Sequence, residues 1–146
     1  MIEPTRLGIP LSLSNENGIS AMNDIAGLRL LVVEDEMLIA MTIEDVLMDL
    51  GCAVVGPASS VAKAMELLSD QDIDGAILDL NLKGEQALPV AEALQKRGTP
   101  FFFLTGYGST GTSQDMFDAP TLPKPFDPAS LQQLIEDTIA PRKARI

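Results

Sequence analysis

From Leu28 onward the chain alternates between two kinds of segment. Short runs are apolar at nearly every position, and longer stretches between them return to an apolar residue every three or four positions. "LRLLVVE" (28–34), "CAVVGPA" (52–58), "DGAILDL" (74–80) and "TPFFFLT" (99–105) are of the first kind. A run of this length, rich in branched or aromatic residues, predicts a strand covered on both faces. "DEMLIAMTIEDVLMDLG" is of the second kind: Ile39, Ile43, Val46, Leu47 and Leu50 share one helical face, and Gly51 is a natural stop. Ser59 or Ser60 can cap a helix running to about Ser69, with Val61, Met65 and Leu68 expected to face inward. "ALPVAEALQKRG" (87–98) predicts a third helix, ended by Gly98. After the fourth strand, "GYGSTGTSQDMFDA" holds at most two helical turns, so a fourth helix is expected to be short or absent. "PTLPKPF" (120–126) predicts a short proline-bounded strand. Asp127 then caps a last helix, Pro128 takes its first position, and Leu131, Leu134 and Ile135 form its inward stripe.

Strands alternating with helices imply an α/β fold: a doubly wound, five-stranded parallel sheet with right-handed crossovers. Residues 1–27 are rich in Ser, Asn, Gly and Pro, lack any period, and are expected to form a flexible extension. Residues 28–140 form the domain, and 141–146 ("PRKARI" from Pro141) a basic tail.

Charge narrows the function. The net charge of -11 and pI near 4.2 oppose binding to nucleic acid or to an anionic membrane, and suit a cation or a basic partner. No apolar run approaches the roughly 20 residues of a membrane helix. "LGIPLSL" is too short and too proline-interrupted for a signal peptide. The single cysteine, Cys52, excludes an internal disulfide and favours a cytoplasmic location; it is expected to be a small core residue. The methionines at 37, 41, 48 and 65 are likewise expected to serve packing. With no histidine in the chain, Ser-His-Asp and Cys-His catalysis and imidazole zinc sites are out of reach.

Ligands of doubly wound sheets bind beyond the carboxyl ends of the strands. Glu34 and Asp35 stand there after the first strand, Asp79 after the third, Thr105 after the fourth and Lys124 after the fifth. Clustered carboxylates either take up a proton or hold a cation between them, and oxygen donors of this kind suit Mg²⁺. Asp35 and Asp79 would be direct ligands, Glu34 would act through water, and the backbone carbonyl of Asn81 could complete the set. A carboxylate is already ionised at neutral pH and can attack phosphorus without a general base, giving an acyl phosphate. Mg²⁺ and Lys124 would then supply positive charge, and Thr105 a hydrogen bond, to an incoming phosphoryl group at Asp79. Glu36 is expected to be only a first-turn helix acid.

"LVVEDE", "AILDLNL", "FFFLTGYG" and "PKPF", in this order and each on its own strand, resemble the bacterial response-regulator receiver domain over roughly residues 28–140. The resemblance implies a flavodoxin-like sheet of order 2-1-3-4-5. It makes Glu34 and Asp35 the acid pair, Asp79 the phosphoacceptor, Thr105 the switch hydroxyl and Lys124 the phosphate-pairing lysine. It also implies a sensor histidine kinase or a histidine phosphotransfer protein as donor, and a downstream partner or a phosphate-sink role in place of an attached effector. Activity of its own would be limited to autophosphorylation and autodephosphorylation, with Asn81 and Tyr107 flanking the path of the attacking water. "FLTGYG" is similar to the FAT-GUY variant of the family, with Leu104 where alanine is usual. Thr121 stands where most receivers carry a switching aromatic, so Tyr107 or the loop 106–119 is expected to carry the readout.

One competing pattern remains. Gly106, Gly108 and Gly111 spell G-x-G-x-x-G after a strand, as in dinucleotide-binding enzymes. That loop needs a long helix facing the pyrophosphate, whereas the segment after Gly111 is short, polar and ends at Pro120. The glycines are better read as letting the loop bend and move once Thr105 shifts.

Overall fold

The computed structural model describes residues 25–106 and 117–139. In chain order the elements are β1 (Arg29–Val33), α1 (Met37–Asp49), β2 (Ala53–Ala58), α2 (Val61–Asp70), β3 (Gly75–Asp79), β4 (Asn81–Leu82), β5 (Glu85–Gln86), α3 (Leu88–Arg97), β6 (Phe101–Thr105), β7 (Thr121–Pro123) and α4 (Pro128–Thr138). Five strands form one parallel sheet in the order β2-β1-β3-β6-β7. This is the expected doubly wound arrangement, 2-1-3-4-5 once the two short strands β4 and β5 are set apart as a hairpin. The expected short or absent helix before β7 falls on 107–116, outside the described residues. So do residues 1–24 of the expected extension and the tail from 140 onward. Ile25, assigned to that extension, is fully buried and joins the core.

Period-2 alternation along the central strands sorts side chains to the two sheet faces. Leu31, Val33, Ala76, Leu78, Phe101 and Phe103 point to one side and pack with Ala64, Leu68, Val90 and Leu94 of α2 and α3. Leu30, Val32, Ile77, Phe102 and Leu104 point to the other and pack with Ile43, Leu47, Leu131 and Ile135 of α1 and α4. Both faces are covered, so β1, β3 and β6 tolerate almost no polar residue along their length. Phe101, Phe103 and Phe117 meet edge to face, with ring centroids 5.6–6.1 Å apart. Cys52 is buried among the α1/α4 cluster, and burial pushes its thiol up to about 11.

Local chemistry sets the element ends. The Ser60 hydroxyl accepts from the Lys63 N–H at 3.1 Å and caps α2. Asp127 accepts from the Ser130 N–H at 2.7 Å and caps α4, with Pro128 next; that bond holds the exposed Asp127 carboxyl below its usual range. Gly56 has a φ of +101°, and a Cβ there would lie 2.8 Å from the Ala58 nitrogen and 2.9 Å from the Val32 carbonyl oxygen. The backbone beside β1 can pass only because that position has no side chain.

Two packing expectations fail. Met65 is 36% exposed; α2 instead turns Val61, Ala64 and Leu68 inward, the spacing at which small Ala64 lets the helix approach the sheet. Met37, Met41 and Met48 are also exposed rather than packed, because α1 presents Ala40, Ile43, Val46 and Leu47 to the core.

Gly56→Ala is expected to lower unfolding free energy by about 1–3 kcal/mol through backbone strain. Phe102→Ala is expected to lower it by about 3–5 kcal/mol through the cavity it leaves. Urea unfolding followed by far-UV circular dichroism measures both.

Candidate functional site

All five strands of the parallel sheet end on one rim. The chain leaves β1 toward β2 on one side and later returns to β3 on the other, so a crevice opens between the carboxyl ends of β1 and β3. Glu34 follows β1 directly and is held by its N–H to the Ala58 carbonyl at 2.9 Å. Asp79 is the last residue of β3 and pairs in register with Leu104, which puts Thr105 one step further along the neighbouring strand. Thr105 pairs with Pro123, and the Lys124 N–H donates to the Thr105 carbonyl at 2.8 Å. The ladder therefore fixes where the lysine enters the rim.

Its side chain folds back into an acidic cluster. The Lys124 ammonium lies 3.0 Å from Glu34 Oε1, 3.1 Å from Asp79 Oδ2 and 3.3 Å from Glu36 Oε1. Glu34, Asp79 and Thr105 are buried, Asp35 is half-buried and Glu36 is exposed. Glu34, Asp35 and Asp79 each offer a carboxylate oxygen within 4.8 Å of the others. Two sealed acids, Glu34 and Asp79, share one ammonium and leave surplus negative charge in a poorly hydrated place, and burial of unpaired charge is costly.

The titration behaviour reflects this. Burial lifts the Glu34 carboxyl from 4.5 to about 7, against the pull of the Glu36 N–H and Lys124. Burial also raises Asp79, although hydrogen bonds from its neighbours and the Lys124 charge oppose it. Burial alone would lower the Lys124 ammonium, but Glu34 and Asp79 outweigh it and hold it above its ordinary value. Asp79 Oδ1 also accepts from the Asn81 N–H at 3.2 Å.

The residue set fits a hard divalent cation. The donors are carboxylate oxygens, and Glu34 Oε1 is a buried acceptor at which no hydrogen-bond donor is aimed, although the ammonium is close. Glu34, Asp35 and Asp79 are brought together. Asn81, exposed at the start of the β4–β5 hairpin, is tied to Asp79 through its backbone. Gly106 is described, and neither a left-handed φ nor crowding demands a glycine there; Tyr107, Gly108 and Gly111 lie outside the described residues.

Two features were not foreseen. Glu36 is a third carboxylate on Lys124; the acidic run "EDE" was the available signal. The β4–β5 hairpin directly follows Asp79, turning on Lys83 and Gly84, both with positive φ, and Leu82 buries into the core beneath it. Beside the cluster, Glu36, Ile39, Thr42, Gly106, Pro125 and Phe126 line, with Lys124, a cavity of about 400 Å³. Met37, Leu38 and Met41 stand exposed nearby on α1. Among the described residues no helix is long and apolar enough to cross a membrane.

The model of the response regulator receiver domain matches residues 30–136. Over 131 residues the chain is 32% identical to the phyllosphere-induced regulator PhyR of Methylorubrum extorquens, covering 87% of this chain and 49% of that protein. It is 30% identical over 108 residues to the transcriptional regulatory protein PdtaR of Mycobacterium tuberculosis, covering 73% of this chain and 53% of that protein. The chain thus spans about half the length of these curated relatives. The solution structure of SdrG from Sphingomonas melonis superposes with a TM-score of 0.67 at 42% identity, covering 76% of this chain and 94% of that one.

The chain has no histidine, so between pH 5 and 8 the raised Glu34 carboxyl dominates its side-chain titration. A raised folded-state pKa means that the folded chain binds more protons than the unfolded chain across this window. Stability is therefore greatest at the acid end and declines as pH rises through about 7, by up to roughly 3 kcal/mol for Glu34. Without divalent cation, the melting temperature is expected to fall between pH 5.5 and 8. Added Mg²⁺ should restore it at pH 8 far more than at pH 5.5, and Glu34→Gln should flatten the slope.

Proposed function

The chain belongs to the response regulator receiver family, and on that footing we propose that it accepts a phosphoryl group on Asp79 from a sensor histidine kinase or a histidine phosphotransfer protein. The observation that carries the proposal is the Lys124 ammonium, 3.1 Å from Asp79 and 3.0 Å from Glu34 at the carboxyl rim of the sheet. A carboxylate oxygen of Asp79 attacks phosphorus, the P–N bond to the donor imidazole breaks, and its electron pair returns to that nitrogen. Lys124 exchanges its carboxylate partners for the transferred phosphoryl oxygens. The Thr105 hydroxyl donates to another of them. Glu34, Asp35 and Asp79, with the Asn81 backbone carbonyl, would hold Mg²⁺, which when bound neutralises charge on the phosphoryl group and the acids around it.

The donor is a protein whose apolar helical face covers Met37, Leu38 and Met41 on α1 and reaches the neighbouring cavity. Output passes through a partner protein, or the chain acts as a phosphate sink, in a cytoplasmic setting. Thr121 is exposed on β7 and cannot act as the aromatic switch, so Tyr107 or the loop 106–119 carries the readout. The chemistry of its own is limited to self-phosphorylation from small donors and slow hydrolysis. The dinucleotide reading of Gly106, Gly108 and Gly111 has no support from the family match.

Incubation with acetyl phosphate and Mg²⁺ is expected to add one phosphoryl group by intact mass, with none in Asp79→Ala or after chelation. Lys124→Met should slow the reaction by about 10²-fold. Modification that persists in Asp79→Ala would sink the proposal, as would a wild type inert to acetyl phosphate and to phosphohistidine donors alike.

A further inference from the structure

Of the three carboxylates that contact Lys124, two are sealed in and one faces water. The side chains of Glu34 and Asp79 are 0% and 4% exposed, whereas that of Glu36 is 62% exposed with its Oε1 3.3 Å from the ammonium. Glu36 is anchored by its backbone, not its carboxylate: its N–H donates to Glu34 Oε2 at 3.0 Å. It stands outside the group of acids able to share a cation, which comprises Glu34, Asp35 and Asp79. It also lines the cavity beside the rim. Glu36 is thus a charged side chain that touches the essential ammonium from outside, with no core or ligand role to explain it.

We infer that Glu36 restrains the rate at which the rim accepts a phosphoryl group from small dianionic donors. The inference rests on the phosphoacceptor reading of Asp79. Two effects act with the same sign. The Glu36 carboxylate competes with the donor for Lys124, and its charge repels a dianion approaching the rim. Both are moderated by water, since ion pairs with an exposed partner contribute little. The expected gain on removing it is therefore a few-fold change, not orders of magnitude.

The test measures the rate of phosphorylation by acetyl phosphate, with Mg²⁺ saturating for each variant, at low salt and in about 1 M KCl. Glu36→Gln is expected to react about two- to fivefold faster than wild type at low salt, and Glu36→Lys faster still. The advantage should shrink toward none in high salt, because exposed charges are screened. Asp45→Asn removes one negative charge from an exposed position further along α1 and should leave the rate unchanged. A Glu36→Gln rate equal to or below wild type overturns the inference, as does a gain that ignores salt or is matched by Asp45→Asn. A wild type that accepts no phosphoryl group sinks the underlying reading; a reactive wild type with an indifferent Glu36→Gln sinks only this one.

Discussion

The rest of the site depends on one contact: a single ammonium held against buried carboxylates at the end of a hydrophobic sheet. Lys124 reaches them because its backbone continues the ladder from Thr105. The acids meet there because β1 and β3 are neighbours in space although a helix, a strand and a second helix separate them in the chain. Apolar packing on both faces holds those strands in register and so sets the spacing of the charges. The core supplies the rigidity, and the cluster spends part of the stability that rigidity provides.

Under the proposed function this cost has a use: surplus negative charge, partly relieved by a proton or by Lys124, would leave the cluster ready to receive a cation and then a phosphoryl group. A fully neutralised cluster would have no such affinity. The exposed apolar residues of α1 lie near the cavity beside the acidic rim, so the proposed docking surface and the proposed phosphoacceptor would share an edge. Glu36 belongs to both regions, lining the cavity while contacting the ammonium.

Much of this was legible in the residues. Unbroken apolar runs marked β1, β3 and β6, since only strands covered on both faces need them. Asp79 stood out because an acid within "AILDL" must have a partner. Other features were hidden for physical reasons. Met65 and the α1 methionines satisfy an apolar period as readily as their neighbours, and only the approach of Ala64 and Ala40 to the sheet decides which side turns inward. The β4–β5 hairpin is too short to show a period, and its turn uses Lys83, not a usual turn former, beside Gly84. Glu36 resembled any acid at a helix start until the lysine, 88 positions away, was placed beside it.

Cys52 contributes nothing to the rim, yet its position has a practical consequence. The lone sulfhydryl sits in the packed layer beneath α1, with its thiolate form suppressed. Alkylating reagents can reach it only when that layer parts. The polypeptide therefore carries its own internal clock for breathing motions, readable by alkylation without engineering a reporter into the sequence.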